Sequence, residues 1–457
     1  MTNFIGMKKK LIYIILTTLA LALIAGVIYL NSLIPIITGY AAKNLASGVF
    51  ISDRSASDVE SLDLNFSFIR YTSNEVDTIN RRVVSRFLWG KSTAIYRDGF
   101  GCTLVRKVDE DALLSTKFPE IPPLTYISDL TPWPLGNILP DTSTGIPLEH
   151  LQKIADDLVD KQYYGGYAFS FLVLHKGVPV VEKYNVGINP ETRLLSWSMA
   201  KSFTSALTGI MVKDGKLNIK MPAGIPEWAN DDRKNITIND LLQMQSGLEW
   251  NEDYGNRSDV TVMLHDKADF AMFAYDKMLK YEPGTEWYYS SGSTNIINYI
   301  MRTSFANDAE YYTFATNRLF NKIGMTNAVF EVDASGTQVG SSYIYATTRD
   351  YARFALLYLQ DGMFNGERIL PEDWVEYSIT PASDSEERYG AGFWLNLDGT
   401  ISSAPTSMYR CQGHNGQRIF IFPDQDLAIV VLGYSPKKTN DMDFDRLVGD
   451  VFKAIEN

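Results

Sequence analysis

Ser198-Met199-Ala200-Lys201 sets a hydroxyl and an amine three residues apart. On a helix that spacing stands both side chains on one face. A serine hydroxyl is a weak nucleophile until a base takes its proton. A lysine can be that base when burial or a neighbouring cation lowers its pKa. Met199, Phe203, Ala206, Leu207 and Ile210 recur at the period of an apolar helix face, with Lys213 and Gly215 as the stop. Ser198 is therefore expected at a helix N-terminus, where backbone N–H groups point at any anion that forms. The tetrad alone is common on helix surfaces, so its weight comes from the downstream residues that accompany it.

Two further stretches carry polar groups in suitable settings. Tyr289-Ser290-Ser291 leads into a helical pattern from Thr294 to Met301, and a tyrosine at a loop–helix junction near a lysine can relay a proton. Gly413-His414-Asn415-Gly416-Gln417 is expected at the start of a strand, where a glycine-flanked edge can present a backbone N–H to an oxyanion. Glu249, Trp250 and Tyr254 follow the Ser246-Gly247-Leu248 turn and are placed in a loop near the cleft by position alone. There is no Gly-x-Ser-x-Gly elbow, which disfavours a Ser-His-Asp α/β-hydrolase.

The elements that must position these residues are legible in outline. A helical pattern from Pro147 to Leu158 precedes strand-like Tyr167–His175 and Val178–Tyr184. A mainly helical middle, about 214–388, precedes strands at Tyr389–Leu397, Gln417–Phe422 and Leu427–Gly433. An amphipathic helix runs from Phe444 to Ile455. The expectation is an α+β fold: an antiparallel sheet flanked by the terminal helices, an inserted helical subdomain, and a cleft along the join. Upstream, Leu62–Phe68 alternates like a strand, and Ala94–Arg97 and Cys102–Val105 flank Asp98-Gly99 as a hairpin. Residues 1–40 read as a membrane anchor or signal peptide, 41–140 as a strand-containing extension with a Pro-rich connection, and 141–457 as the domain that carries the candidate site.

Lys8-Lys9-Lys10 precede an apolar run from Leu11 to Leu30, long enough to cross a bilayer as a helix. The lysines would stay cytoplasmic and place the remainder outside. The alternative is a cleaved signal, with small residues around Gly39-Tyr40-Ala41. The net charge of −12 over 457 residues argues against nucleic acid as the main partner. Two distant cysteines and four scattered histidines show no metal-ligand spacing. Cys102 and Cys411 read as isolated buried thiols, with a disulfide as the alternative.

In order and spacing, Ser198-Met199-Ala200-Lys201, Tyr289-Ser290-Ser291 and His414-Asn415-Gly416 resemble the three elements of the penicillin-recognising serine hydrolases, in particular the class C β-lactamases and their esterase and amidase relatives. Leu194–Thr204 is most similar to the 6-aminohexanoate-dimer hydrolase type. The resemblance implies an acyl-Ser198 intermediate, with Lys201 and Tyr289 as acid and base and no cofactor. It implies an oxyanion hole from the N–H groups of Ser198 and Gln417, and substrate contacts at His414, Gly416 and Ser291. Ser291 stands where many β-lactamases carry Asn, and His414 where they carry Lys. The implied substrate is therefore a small ester or amide, ahead of a β-lactam or a cell-wall D,D-peptide. A membrane-tethered binding protein without catalysis is the alternative of another class. Lys438-Thr439-Asn440 is a near-miss to the Lys-Thr-Gly element and is set aside because it follows the strand.

Overall fold

The computed structural model describes residues 2–140, 148–435 and 441–456. Pro147 and Lys438-Thr439-Asn440 lie outside the described residues. The chain opens with α1, Thr2–Phe50, which continues unbroken through residue 40. Leu11 to Tyr29 is exposed along its large apolar side chains, whereas Ile34 is buried and Ile37, Tyr40, Ala41 and Leu45 join the main core. One helix thus has an apolar unpacked half and a packed half.

The packed half lies against a four-stranded antiparallel sheet in the order β1 Ser73–Asp77, β2 Arg82–Phe87, β3 Gly90–Arg97, β4 Gly101–Leu104. The expected Asp98-Gly99 hairpin is the β3–β4 turn, with Arg97 opposite Gly101. The strand expected at Leu62–Phe68 is instead a turn. Ser55 caps a short helix, Ala56–Ser61, and Leu62, Asp63 and Leu64 close its end by donating back to Asp58 and Val59. The alternation reflects one side of that turn packing inward, with Leu64 only 2% exposed.

The main sheet has six strands. After α2, Leu148–Val159, come β5, Tyr167–His175, and β6, Val178–Tyr184. The helices α3 Ala200–Lys213, α4 Ser291–Thr303 and α5 Thr348–Leu359 belong to the middle of the chain. They are followed by β7 Trp394–Leu395, β8 Tyr409–Gly413, β9 Gln417–Phe422, β10 Leu427–Tyr434 and finally α6 Phe444–Glu456. The order across the sheet is β7-β8-β9-β10-β5-β6, so strands from both ends of this region meet at β10–β5. β10 is buried along its whole length, as its run of β-branched residues demands of a central strand. Helices α2 and α6 cover one face through Leu151, Leu158, Leu447, Val448 and Val451. Helix α5, started by a Thr347–Asp350 capping box, packs on the other face with α3.

The strand expected over Tyr389–Leu397 is shorter. Gly392, at φ 92°, turns the chain so closely that a Cβ there would meet Lys201 O at 3.1 Å; Tyr389 folds back to bridge Trp394, and only Trp394–Leu395 pairs with β8. His414 is also not at a strand start. It opens a tight turn, His414–Gly416, between β8 and β9, with Asn415 left-handed at φ 60°. Cys102 and Cys411 are free and buried.

Candidate active site

The nucleophile turn is held from behind. Leu194–Leu195 pairs with Ile344–Ala346. Ser196 N donates to Ile344 O at 2.8 Å, and Ser196 Oγ accepts from Ile344 N at 3.2 Å. Trp197 then takes a left-handed φ of 46°, a costly conformation for an aromatic residue that the surrounding packing must enforce. The turn delivers Ser198 to the start of α3. Every residue of α3 from Ala200 to Met211 is buried, not only its apolar face. Two of its hydroxyls bond backbone carbonyls packed against it: Ser202 Oγ donates to Gly392 O at 2.6 Å and Thr204 Oγ1 to Gly340 O at 3.1 Å.

Lys201 Nζ lies 3.2 Å from Ser198 Oγ, 2.9 Å from Ser291 Oγ and 3.2 Å from Ser341 O. Its side chain is 2% exposed. Burial lowers its pKa from 10.5 to about 8, against an opposing pull from the Glu252 carboxylate. A sizeable fraction of the amine is therefore neutral near neutral pH. Tyr289 faces the same amine, its ring centroid 4.7 Å from Nζ. Burial, and secondarily Glu252, push the phenol well above 10, while its contact with Ser198 pulls the other way. Tyr289 is thus a proton donor throughout the ordinary pH range.

Ser291 is the first residue of α4, and its neighbour Ser290 caps that helix by accepting from Ser293 N at 3.1 Å. Ser291 Oγ donates to Glu252 Oε1 at 2.5 Å, and Ser291 N donates to Glu252 Oε2 at 2.9 Å. Trp250 Nε1 fixes the same carboxylate at 2.6 Å. A hydrogen-bonded line therefore runs from Ser198 through Lys201 and Ser291 to Glu252. Sequence reasoning missed Glu252. A lone acid in a loop has no motif, and only its place between Trp250 and Tyr254 hinted at it.

His414 stacks on Tyr254 at 4.7 Å and meets Trp197 edge-on at 5.4 Å. Burial, with Arg418 adding to it, lowers its pKa to about 4, so the imidazole is neutral at pH 7. Gly413 must be glycine here, because a Cβ would come 2.3 Å from Ser196 O. An open cleft of about 490 Å³ is lined by Ser198, Glu252, Tyr254, Tyr289, His414 and Gly416, among others. Ser198, Lys201, Tyr289, Ser291, His414 and Gly416 are thus brought together. Gln417 opens β9 next to Gly416, but its side chain turns inward. The amide accepts from Gly433 N at 3.1 Å and donates to Gly433 O, locking β9 to β10.

The Beta-lactamase family model matches residues 151–449. The 6-aminohexanoate-dimer hydrolase of Paenarthrobacter ureafaciens is 25% identical over 291 residues, which cover 58% of this chain and 72% of that one. Solved structures share the fold, two of them as follows. A putative 6-aminohexanoate-dimer hydrolase from Bacillus anthracis superposes with a TM-score of 0.54 at 21% identity, covering 74% of this chain and 87% of its own. A putative β-lactamase from Bacteroides dorei gives 0.55 at 19%, covering 68% and 100%.

Proposed function

This chain belongs to the β-lactamase family and is a serine hydrolase of the esterase and amidase type, and from that premise we propose that it cleaves a small linear amide or ester through an acyl group carried on Ser198. The observation that supports this most is the 3.2 Å approach of a buried, low-pKa Lys201 amine to the Ser198 hydroxyl.

Neutral Lys201 takes the Ser198 proton as Oγ attacks the substrate carbonyl. The N–H groups of Ser198 and Gln417 receive the oxyanion, a contribution of about 3–4 kcal/mol per donor in comparable sites. Tyr289 protonates the departing alcohol or amine and then helps water to attack the acyl-enzyme. Ser291 and Glu252 hold the Lys201 amine in place, and the Glu252 charge tempers how far burial lowers its pKa. His414, neutral at pH 7, offers a flat stacking face beside the turn rather than a cation. A β-lactam or D,D-peptide carboxylate is therefore the weaker reading, and short amides of the 6-aminohexanoate kind are the stronger one.

The same structure supports a retained membrane anchor with the catalytic domain on the outer side. The candidate cleavage stretch Gly39-Tyr40-Ala41 lies mid-helix with Tyr40 and Ala41 buried, and cutting there would take Ile34, Ile37 and Thr38 out of the core. Initial rates on p-nitrophenyl esters, nitrocefin and linear amide oligomers test the proposal, with Ser198→Ala as the control. Turnover of esters and amides that vanishes in Ser198→Ala is expected. Turnover of nitrocefin alone, or activity that survives the substitution, would overturn it.

A further inference from the structure

One end of the small four-stranded sheet is apolar and uncovered. Leu88 and Trp89, at the β2–β3 tip, are each 60% exposed. Phe68 and Tyr71, also exposed, precede β1, whose first residue Ser73 pairs with Arg86. They therefore share that end of the sheet with the tip, and the Phe68 and Phe87 rings lie 6.3 Å apart. Exposed Arg70 and Lys91 stand among them. The opposite end is charged, with Arg81 paired to Asp98 at 2.7 Å and Arg82 to Asp77 at 3.6 Å.

Helix α1 fixes where the apolar end sits. Its exposed apolar stretch, Leu11 to Tyr29, measures about 28 Å at 1.5 Å per residue, close to the bilayer hydrocarbon thickness of about 30 Å. Just past that stretch, Asn31 Oδ1 accepts from Trp89 Nε1 at 3.1 Å, and Gly90 abuts the Ile34 side chain. From there α1 and β3 climb together. Thr38 Oγ1 lies 2.6 Å from Ser92 Oγ, and the Phe50 and Tyr96 rings are 6.2 Å apart. The tip is thus level with the point where the apolar helix would leave a bilayer, and the charged end points away.

We infer that Phe68, Tyr71, Leu88 and Trp89 form a seat on the phospholipid leaflet, their side chains in the headgroup–acyl boundary and Arg70 and Lys91 among the phosphates. This rests on α1 being a retained anchor. The upstream extension then has a role of its own, because together with α1 it makes a two-point footing that fixes the orientation of the domain. Tyr40, which stacks on Trp197 beside the nucleophile, lies about 16 Å farther along the helix than Tyr29. The seat would therefore hold the Ser198 turn close above the lipid surface.

The test uses the full chain in phosphatidylcholine–phosphatidylglycerol vesicles, with a polarity-sensitive fluorophore on Leu88→Cys. Cys102 and Cys411 are buried, so labelling is selective, and ester turnover verifies folding. Tyr71→Cys reads the other half of the patch. Vesicle binding should blue-shift both labels, and lipids brominated high on the acyl chain should quench them at least about twofold more than one on Ile79→Cys, at the charged end. A label on Leu19→Cys, midway along the exposed stretch, reports on the span itself with lipids brominated deep on the acyl chain. Quenching at Leu19 with positions 71 and 88 as water-exposed as 79 would overturn the seat and leave the anchor standing. No quenching at Leu19 would refute the anchor, and the seat with it.

Discussion

The pH dependence of turnover should follow the protonation of Lys201. Its pKa stands at about 8 because burial disfavours the ammonium, against an ordinary value of 10.5. At pH 7 an amine with pKa near 8 is neutral in about one molecule in ten, whereas at 10.5 the figure is about one in 3,000. Burial therefore raises the population able to take the Ser198 proton about 300-fold. The logarithm of kcat/KM on a p-nitrophenyl ester should climb with unit slope and level off near pH 8, leaving about one-hundredth of the plateau rate at pH 6. Glu252 is the charge that pulls the amine pKa back up. Glu252→Gln should move the break to lower pH, whatever it does to the plateau. The measurement is initial rates at constant ionic strength from about pH 5.5 to 9.5, for both proteins. A flat profile, a break near pH 4 to 5, or a break unmoved by Glu252→Gln would refute the neutral-lysine reasoning.

Three more expectations come from packing. Gly413→Ala would drive a methyl into Ser196 O, 2.3 Å away; β8 must shift from the nucleophile turn, and kcat should fall by about 100-fold or more while the far-UV circular dichroism stays near wild type. Lys43→Met strands the buried Glu331 carboxylate, which Lys43 pairs with and which Ser47 Oγ and Cys102 N also bond; denaturant titration should show a loss of about 3 kcal/mol, partly restored by adding Glu331→Gln. His265 is buried, and burial, with Arg106 and Lys43 adding to it, lowers its pKa to about 3 from 6.5. The unfolded chain therefore takes this proton first, so stability is complete above pH 6.5 and is lost as pH falls toward 3, by at most about 1.4 kcal/mol per pH unit. Denaturation midpoints between pH 7 and 5 should drop less steeply in His265→Gln.

How much of this was legible in the sequence depends on the range over which each feature is specified. Ser198, in the tight turn Trp197–Met199, and Lys201, in the first turn of α3, are three residues apart, so local spacing predicts that they meet, and they do. Strands β5, β9 and β10 show in their own composition, because central strands are apolar along their length. Glu252 could not be found that way. Its place depends on Trp250 and on the N-terminus of a helix nearly forty residues downstream, a tertiary arrangement with no local signature. The inward turn of Gln417 depends likewise on Gly433 across the sheet. The apolar run of α1 announces a span, but its continuation to Phe50 was hidden, because the packed half is amphipathic only against partners that come later in the chain. Leu62–Phe68 misled because period-two alternation over a few residues is shared by strands and by the closing turn of a short helix.

The central claim is that Ser198 is acylated because Lys201 takes its proton. Intact-protein and peptide mass spectrometry after a brief reaction with a slow p-nitrophenyl ester tests this directly. One acyl group on the peptide carrying Ser198 is predicted, formed at least about 100-fold more slowly in Lys201→Ala. An adduct on another residue, or acylation at an undiminished rate in Lys201→Ala, would contradict it.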